Sequence, residues 1–289
     1  GLNPKSVVIA IDEFEILFIL TGIFGGMSTL NFGVVGCGGQ GSGWARDLAE
    51  WEGVNLVGLC DINANSVKQL GKKLEVEYTT TKYEELLKQD LDAVVIATPH
   101  YLHAPYTVKA AKNDINVFSE KPMAINLKQC NDMIIACKKN DVKLQIGFQR
   151  RFGKKNLQIK AAMDAGLIGD LIHANVHGRW FRQEMYYLMS SPVKKEDGGE
   201  HWRGKWHTEG GSALINQTIH PLDLFQWFTP PIKDIQAAAH ISLHEFIETE
   251  DNVGAVVNFE NGGIGLIQAG VVYPDCHDEI ALYGTKGKI

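Results

Sequence analysis

The sequence predicts an α/β protein in two parts: a Rossmann domain with a doubly wound parallel sheet, then an α+β domain with a largely antiparallel sheet. Three observations lead to this prediction. Before residue 150, largely apolar strand-like runs alternate with amphipathic helical segments, as in a parallel sheet covered on both faces. A glycine-rich turn follows the first of these runs. After Arg151 the alternation stops, and four strand-like runs end the chain.

The first part contains the alternating elements of the parallel sheet, which right-handed crossovers make doubly wound. The predicted strands are 32–36, 54–60, 91–97, 115–119 and 143–148. The predicted helices are 42–52, 65–74, 83–89, 104–113 and 127–140.

The second part begins with a predicted helix, 154–165, and a strand, 171–180, followed by an irregular stretch, 181–211. A helix over 213–228 ends at Pro230-Pro231, because proline cannot continue a helix. The last predicted strands are 234–243, 252–259, 263–272 and 278–283, with hairpin-like turns at 260–263 and 284–287. Only two residues follow the last turn, so we expect a chain that is cut short at its carboxyl end.

We divide the chain into an extension of residues 1–30, a Rossmann domain of residues 31–150 and an α+β substrate and oligomerisation domain of residues 151–289. The extension is largely apolar from Val7 to Gly26 but contains Asp12, Glu13 and Glu15. Its longest uncharged stretch is too short to span a bilayer. We expect folded structure to begin near Met27, and a membrane-associated segment remains the alternative.

The composition excludes several classes of protein. The chain has 289 residues, 45% of them hydrophobic and 21% charged, which is typical of a globular protein. Its formal net charge of −6 disfavours a nucleic-acid binder, which needs a basic face. The five cysteines are scattered and form no C-x-x-C pair. This pattern suits a reducing compartment, and we expect a cytoplasmic protein without membrane or nucleic-acid partners.

A glycine-rich loop directly after the first strand predicts a dinucleotide site. It has the form G-x-G-x-x-G and opens a helix, whose amino terminus favours the pyrophosphate. Asp61 ends the second strand, where a carboxylate can accept hydrogen bonds from the adenosine ribose and repel a 2′-phosphate. No arginine stands at Ile62 or Asn63, so NAD is favoured over NADP; a glycine turn without a ligand is the alternative. The predicted cofactor contacts here are Gly36, Gly38, Gly39, Gln40, Gly41 and Asp61.

Two further segments end strands at the same carboxyl edge of the sheet, where open α/β sheets bind ligands. Thr98, Pro99 and His103 follow the strand 91–97, and Glu120 and Lys121 follow the strand 115–119. A strand terminator with a helix cap, and a solvated surface lysine, would explain them without any ligand.

The glycine loop, the A-T-P-x-x-x-H segment and Glu120-Lys121-Pro122, in this order, resemble the Gfo/Idh/MocA family of NAD(P)-dependent sugar and cyclitol oxidoreductases. The resemblance covers about residues 31 to 287. It implies that Lys121 lies beside the nicotinamide and the reacting hydroxyl, that Glu120 lies near the cofactor ribose, and that the bond before Pro122 is often cis. An ammonium group there would stabilise the oxyanion character that develops as hydride leaves. Thr98, Pro99 and His103 are expected among the cofactor contacts.

The family's second signature is a helix, and the run from Gly210 to Asp223 matches it. Asn216 and His220 are four residues apart, which puts both on one helical face. His220 is the candidate general base, because imidazole can take a proton near neutral pH. Asn216 is the third candidate catalytic residue, and it stands where many members carry Asp, so a relay of two ionisable groups is in doubt. Asp223 is a candidate substrate contact or could orient His220; a helix cap explains it equally well.

Three further side chains complete the predicted substrate site. Trp202 could stack on a sugar ring, while Arg203 and Arg150 could bind a phosphate or carboxylate. An aromatic-anchored loop is the alternative for the first two. The histidine pairs 173/177 and 240/244 share strand faces but lack a carboxylate or cysteine nearby, so we predict no metal site.

The first predicted function is an NAD-dependent dehydrogenase that moves a hydride between NAD and a ring hydroxyl of a sugar, sugar nucleotide or cyclitol. An NAD-dependent glycosidase on the same scaffold and a non-catalytic NAD-binding regulatory or assembly protein are the alternatives. By analogy with the family we expect a homo-oligomer, a dimer or a tetramer.

Overall fold

A six-stranded parallel sheet forms the first part of the protein. The computed structural model describes residues 29–190 and 201–289, so residues 1–28 of the extension and residues 191–200 lie outside the described part of the chain. The strand order is β3-β2-β1-β4-β5-β6, with every neighbouring pair parallel. The strands are β1 (Leu30–Val35), β2 (Val54–Cys60), β3 (Tyr78–Thr80), β4 (Ala93–Ile96), β5 (Asn116–Ser119) and β6 (Leu144–Ile146).

Helices connect these strands and cover both faces of the sheet. One core cluster packs Phe32 and Val34 against Trp44 and Leu48, and another packs Ile96 and its neighbours on the opposite face. The predicted doubly wound parallel sheet is thereby confirmed. The helices are α1 (Gly39–Glu50), α2 (Ala64–Leu74), α3 (Tyr83–Leu86), α4 (His103–Ala111) and α5 (Leu127–Lys139).

The second part is a five-stranded mixed sheet in the order β11-β7-β10-β9-β8. Strands β7 and β10 pair in parallel, and the other three pairings are antiparallel, so the predicted largely antiparallel sheet is confirmed. Helix α8 packs Leu224, Phe225 and Phe228 into the core of this sheet. The elements are α6 (Lys154–Asp164), β7 (Leu171–Phe181), α7 (Glu184–Leu188), α8 (Ile219–Phe228), β8 (Ile232–His240), β9 (Asn252–Phe259), β10 (Ile264–Gly270) and β11 (Val272–Gly284).

The single helix predicted over 213–228 is wrong. Residues Ala213–Gln217 form a π-helical turn, and the α-helix begins only at Ile219. Pro221 has no N–H and cannot donate to the carbonyl of residue 217, so a continuous α-helix is disfavoured here. In the wider turn Thr218 donates to the carbonyl of Ala213 instead. A π turn commonly occurs at functional sites, and this one carries Asn216.

Other element bounds also differ from the prediction. Helix α7 lies inside the stretch predicted to be irregular. Strand β8 ends at His240 because the following N–H groups of Ser242, Leu243 and His244 donate to the Asp251 carboxylate and leave the ladder. His244 therefore lies in a loop and shares no strand face with His240.

The last strand, β11, is longer than predicted, and the final residues pair back on it. Leu282 and Ile289 exchange two hydrogen bonds of 2.9 Å, and Tyr283 bridges to Lys288. Among the described helices, none has the length and apolar content required to cross a membrane.

Candidate functional site

A cleft of about 780 Å³ lies between the carboxyl edge of the parallel sheet and the mixed sheet. It opens where the strand order reverses, between β1 and β4, the usual ligand position in such sheets. Most of the predicted site residues line it, and three do not. The predicted residues in its wall are Gly36, Gly38, Gly39, Gln40, Asp61, Thr98, Pro99, Glu120, Lys121, Arg150, Trp202, Arg203, Asn216 and His220; Gly41, His103 and Asp223 are outside it.

Backbone atoms of residues 36–40 together with Asp61 form one end of the cleft, which we call the glycine-loop side. Gly36 has φ +86°, and a Cβ there would come within 2.6 Å of the Ala97 carbonyl oxygen. A Cβ on Gly38 or Gly39 would meet nothing within 4 Å. These two glycines thus face open space at the amino terminus of α1, which suits the close approach of a pyrophosphate.

Gly41 packs the helix and does not face the cleft. A Cβ at Gly41 would lie 1.7 Å from the carbonyl oxygen of Gly36, so only glycine lets α1 approach β1 so closely. Its role in helix packing agrees with the geometry, while its direct contact with the cofactor stays a prediction.

Asp61 holds the loop and still faces the cleft. Its Oδ2 accepts a hydrogen bond of 2.7 Å from the Cys37 backbone N–H, and its Oδ1 accepts one of 2.8 Å from Asn63 N–H. A carboxylate has further lone pairs, so it can also accept from ribose hydroxyls. The glycine loop and this fixed acid together fit NAD.

His103 was predicted to contact the cofactor, but it is buried at the start of α4. Its ring nitrogens lie 2.7 Å from the Pro122 carbonyl oxygen and 2.9 Å from that of Thr98. Burial lowers the pKa of His103. The residue therefore joins two strand ends, whereas Thr98 and Pro99 remain in the cleft wall.

Glu120 is buried beneath the cleft and oriented by two donors. The Trp44 indole N–H donates to its Oε1 at 2.7 Å, and the Lys121 backbone N–H donates to its Oε2 at 3.1 Å. Since Trp44 belongs to α1, this bond couples the helix of the glycine loop to the segment that carries Lys121.

Lys121 reaches across the cleft to the π-helical turn. Its ammonium donates to the Asn216 carbonyl at 3.0 Å and lies 3.5 Å from Asn216 Oδ1. The Lys121-Pro122 bond is cis. Burial lowers the pKa of Lys121, with the Arg203 and Arg150 charges acting in the same direction and Glu120 opposing them.

Asn216 is held by an acid that the sequence motifs did not indicate. Its Nδ2 donates to Glu209 Oε1 at 2.5 Å and to the Tyr186 hydroxyl at 3.2 Å. The Gly204 backbone N–H donates to the other Glu209 oxygen. Glu209 is fully buried, which raises its pKa to about 7. Because the carboxylate and the phenol oxygen take both amide hydrogens, the amide oxygen of Asn216 is turned toward Lys121.

His220 lies across the cleft from the glycine loop in its neutral form. Burial and the nearby Lys121 and Arg150 charges lower its pKa to about 4. Its Nδ1 is buried and has no hydrogen-bond partner among the described residues. The ring meets Phe148 edge-on, with centroids 6.1 Å apart. A neutral imidazole in this position can accept a proton.

Asp223 neither orients His220 nor lines the cleft. It accepts two hydrogen bonds from Arg151, at 2.7 and 2.6 Å. The two donors of the guanidinium group satisfy both oxygens of the Asp223 carboxylate. A single imidazole N–H could satisfy only one of them. Asp223 thus joins α8 to the segment after β6. Its contact with a substrate stays a prediction.

Cationic and aromatic side chains form the opposite end of the cleft, which we call the arginine side. Arg150 is paired with Asp278 at 3.0 Å. Arg203 lies 4.2 Å from the Tyr186 ring centroid and 4.9 Å from that of Trp202. Members of this side that sequence reasoning missed are Trp180, Arg182, Tyr186 and Gln217.

The missed residues gave little signal in the sequence. Arg182 lies two residues after the predicted strand 171–180, and that position could have indicated a residue at the sheet edge. Glu209 stands in a polar stretch without periodicity, where a single acid is usually solvated. Tyr186 lies in the stretch predicted to be irregular. Within the described ranges, no three His, Cys, Asp or Glu side chains cluster as metal ligands.

Two family descriptions match the chain and cover most of it. Residues 30–148 match "Oxidoreductase family, NAD-binding Rossmann fold", and residues 156–289 match "GFO/IDH/MocA C-terminal domain".

Individual relatives agree with these matches. An inositol 2-dehydrogenase of Salmonella typhimurium is 31% identical over 203 residues, covering 69% of this chain and 54% of that protein. A 2,7-anhydro-N-acetylneuraminate hydratase of Escherichia coli is 24% identical over 264 residues, covering 90% and 67%. The WlbA dehydrogenase of Bordetella pertussis, solved with NADH and UDP-GlcNAcA, has a TM-score of 0.82 at 27% identity, covering 90% of this chain and 77% of that one. With both parts of the chain matched and the glycine loop in place, the chain belongs to the Gfo/Idh/MocA family of NAD-dependent oxidoreductases.

Proposed function

We propose that Lys121, Asn216 and His220 carry out hydride transfer between NAD and a ring hydroxyl of a sugar, sugar nucleotide or cyclitol. The observation that carries this proposal is their convergence. The Lys121 ammonium, the Asn216 amide and a neutral His220 line the same cleft as the glycine loop, although the last two lie about a hundred residues further along the chain.

Each of the three side chains has a separate role. His220 takes the hydroxyl proton, because its lowered pKa keeps the ring neutral at physiological pH. Lys121 donates to the same oxygen and stabilises the negative charge that develops on it. The Asn216 amide oxygen positions the ammonium. NAD bound along the glycine loop would supply the acceptor for the hydride of the carbinol carbon, and the products would be a ketone, NADH and one proton.

The names of the relatives support the substrate class. One relative is an inositol dehydrogenase, and one structural neighbour was solved with a nucleotide sugar. Inositol and the nucleotide sugar both carry ring hydroxyls. The aromatic wall of the cleft suits such rings, because Trp202 and Tyr186 can cover their apolar faces.

A reaction without net NADH formation is the second candidate. The relatives named as hydratases favour it, since they match about nine-tenths of this chain. A glycosidase that oxidises and re-reduces its substrate around bound NAD would belong to the same class. The non-catalytic alternative has no observation in its favour.

Turnover of a polyol panel tests the proposal. The wild type should form NADH from at least one cyclitol, aldose or nucleotide sugar. Lys121→Met should lower kcat by about a hundred- to a thousandfold and leave NAD binding intact, because it removes one donor to the developing oxyanion. Lys112→Met, on the exposed end of α4, is the matched control. Substrate consumption without NADH would favour the second candidate, and an unchanged kcat in Lys121→Met would refute the role of its ammonium group.

We also propose that a second copy of the chain covers the outer face of the mixed sheet. Val256, Ile264 and Leu266 are 44%, 45% and 40% exposed on neighbouring strands of that face. Light scattering should find a homo-oligomer, and Val256→Asp combined with Leu266→Asp should shift it toward the monomer. A monomeric wild type would contradict this proposal.

A further inference from the structure

Two arginines on the arginine side form no ion pair with any acid in the described part of the chain. Arg150 is neutralised by Asp278, but no ion pair joins Arg182 or Arg203 to a carboxylate in the described part of the chain. Asp61 and Glu120, the acids of the cleft wall, belong to the glycine-loop side and the sheet edge. Glu209 lies beneath the wall and is occupied by Asn216 and Gly204. Unpaired cations in a partly enclosed wall are costly unless an anion arrives.

Aromatic rings hold both guanidinium groups in place. Arg182 lies 5.0 Å from the Tyr186 ring centroid and 5.4 Å from that of Trp180. Arg203 lies 4.2 Å from the same Tyr186 ring. Stacking fixes a planar guanidinium and leaves its edge free for a bidentate acceptor. Tyr186 therefore brings two preorganised cations to one place.

The hydrogen bonds within the protein leave terminal nitrogens of both arginines free. Arg182 uses Nε to donate to Gln217 Oε1 at 2.9 Å, and Arg203 uses Nη1 to donate to the Tyr186 carbonyl at 3.1 Å. Nη1 and Nη2 of Arg182 and Nη2 of Arg203 donate to no described residue, whereas Nε of Arg203 is buried and also has no partner among them. These nitrogens can therefore donate to a ligand in the cleft.

A chain of contacts links these donors to Lys121 within the same cleft. The hydroxyl of Tyr186 accepts from Asn216 Nδ2, and the Asn216 carbonyl accepts from Lys121. One tyrosine ring and two hydrogen-bonded contacts thus lie between the guanidinium groups and the ammonium, so one ligand in the cleft can meet both.

We propose that Arg182 and Arg203 form an anion subsite, and that the substrate is a sugar bearing a negatively charged group, a carboxylate or a phosphate. This inference rests on the proposed hydride transfer at Lys121. It narrows the substrate class, because a neutral cyclitol or aldose would leave both guanidinium groups unpaired.

Binding measured with saturating NAD tests the subsite without requiring turnover. Thermal shift and calorimetry measure the binding of each probe at matched ionic strength. The probes are D-glucose, myo-inositol, D-glucuronate, D-glucose 1-phosphate and UDP-glucuronate. At least one acid should bind the wild type more tightly than glucose and myo-inositol do. Glucuronate and glucose 1-phosphate tell the carboxylate from the phosphate, since each carries only one of them.

The arginine variants locate the binding. Arg182→Gln and Arg203→Gln should each weaken the acid by about ten- to one-hundredfold, as expected for a charge-assisted hydrogen bond, and should leave NAD affinity unchanged. Arg203→Lys keeps the charge without the fork and should fall in between. Arg46→Gln, on an exposed arginine of α1, controls for net charge. If a Gln variant does not fold, the Lys variant at the same position gives the comparison.

Several results would overturn the subsite. They are tighter binding of glucose or myo-inositol than of the acids, acid affinity unaffected by the arginine variants, and failure of every acid to bind. The proposed function fails separately. An acid that binds through Arg182 and Arg203 but yields no oxidation would keep the subsite and refute the hydride transfer. If a neutral polyol is oxidised with the same KM by the wild type and by Arg203→Gln, the hydride transfer is kept and the anion subsite is refuted.

Discussion

The glycine-loop side of the cleft comes from five consecutive residues, 36–40, with Asp61, whereas the arginine side draws its side chains from five segments between Arg150 and His220. The first presents mainly backbone groups at the start of a helix. The second presents guanidinium, indole, phenol, amide and imidazole groups that hold one another in place. A backbone site needs only the right local conformation, while a side-chain site needs its neighbours to arrive from elsewhere in the chain.

The difference also appears in how each side tolerates change. Along the glycine loop and the start of α1, an added methyl group is forbidden at Gly36 and Gly41 and has open space at Gly38 and Gly39. On the arginine side, Glu209, Asn216, Tyr186 and Gln217 share hydrogen bonds, so removing one leaves others unpaired. Substitutions on the glycine-loop side should therefore disrupt the site through steric clashes. Substitutions on the arginine side should disrupt it because the remaining side chains lose the hydrogen bonds that orient them.

The largest expected effect is a loss of kcat on substitution of His220, with no change in NAD affinity. His220→Gln should lower kcat by roughly a hundred- to ten-thousandfold because it removes the proton acceptor, with NAD affinity unchanged. Stopped-flow NADH formation and an NAD titration measure the two quantities. His207→Gln, at an exposed histidine, is the control. Equal losses in both variants would show that His220 takes no proton.

The pH dependence of His220 has a definite sign. Its pKa of about 4 in the folded protein lies below the ordinary value of 6.5. The unfolded chain thus binds the proton more readily, and this contribution to stability is present above pH 6.5 and lost as the pH falls toward 4. Between pH 6.5 and pH 4 the free energy of unfolding should therefore fall less in His220→Gln than in the wild type, and urea unfolding at each pH measures this.

The second effect breaks the glycine-loop side alone. Gly41→Ala would place a methyl group 1.7 Å from the Gly36 carbonyl oxygen. It should weaken NAD binding by about a hundredfold and lower the free energy of unfolding by several kcal/mol, roughly 2–4. Gly43→Ala, in the same helix with open space around it, should be neutral or stabilise by up to about 1 kcal/mol. Calorimetric NAD titration and urea unfolding distinguish the two. Identical behaviour of both alanines would contradict the packing role of Gly41.

A third effect sharpens the role of Glu209. Its pKa of about 7 lies above the ordinary 4.5, so the folded protein binds the proton more readily than the unfolded chain. That contribution is present below pH 4.5 and lost as the pH rises through 7, by about 3 kcal/mol. Glu209→Gln should remove this slope and lower kcat/KM by about tenfold, because a glutamine amide offers one acceptor oxygen where Gly204 N–H and Asn216 Nδ2 need two.

Urea unfolding between pH 5 and 8 and steady-state kinetics test this prediction. Glu245→Gln, at an exposed acid, is the matched control. If Glu209→Gln keeps the wild-type slope and the wild-type kcat/KM, Glu209 does not orient Asn216.

The smallest expected effect is on cofactor choice. Asp61→Asn keeps one acceptor for the loop N–H groups but removes the charge that would repel a 2′-phosphate. The ratio of kcat/KM for NADP to that for NAD should rise by about fivefold, since the charge contributes about 1 kcal/mol at a partly solvated site. Asp114→Asn, far from the cleft at an exposed turn, should leave the ratio unchanged. A fall in the ratio would show that Asp61 does not select against NADP.

The sequence by itself determined the parallel sheet, the glycine loop, Asp61 and the placement of Lys121. Each follows from local periodicity or from a short motif at a strand end, where neighbouring residues fix the backbone. It did not determine the break at Thr218, which depends on Pro221 within an otherwise helical pattern. It did not indicate that Asp223 pairs with Arg151, which lies 72 positions away.

Only the tertiary structure decided what surrounds Lys121. Complete burial raises the pKa of Glu209, and the fold brings its carboxylate within hydrogen-bond distance of Asn216. Neither can be deduced from the residues that neighbour Glu209 in the sequence. Arg182 and Arg203 meet because β7, α7 and the following loop bring them to one tyrosine. Local backbone preferences are carried by adjacent residues, whereas desolvation and side-chain contacts depend on which distant segments the fold packs together.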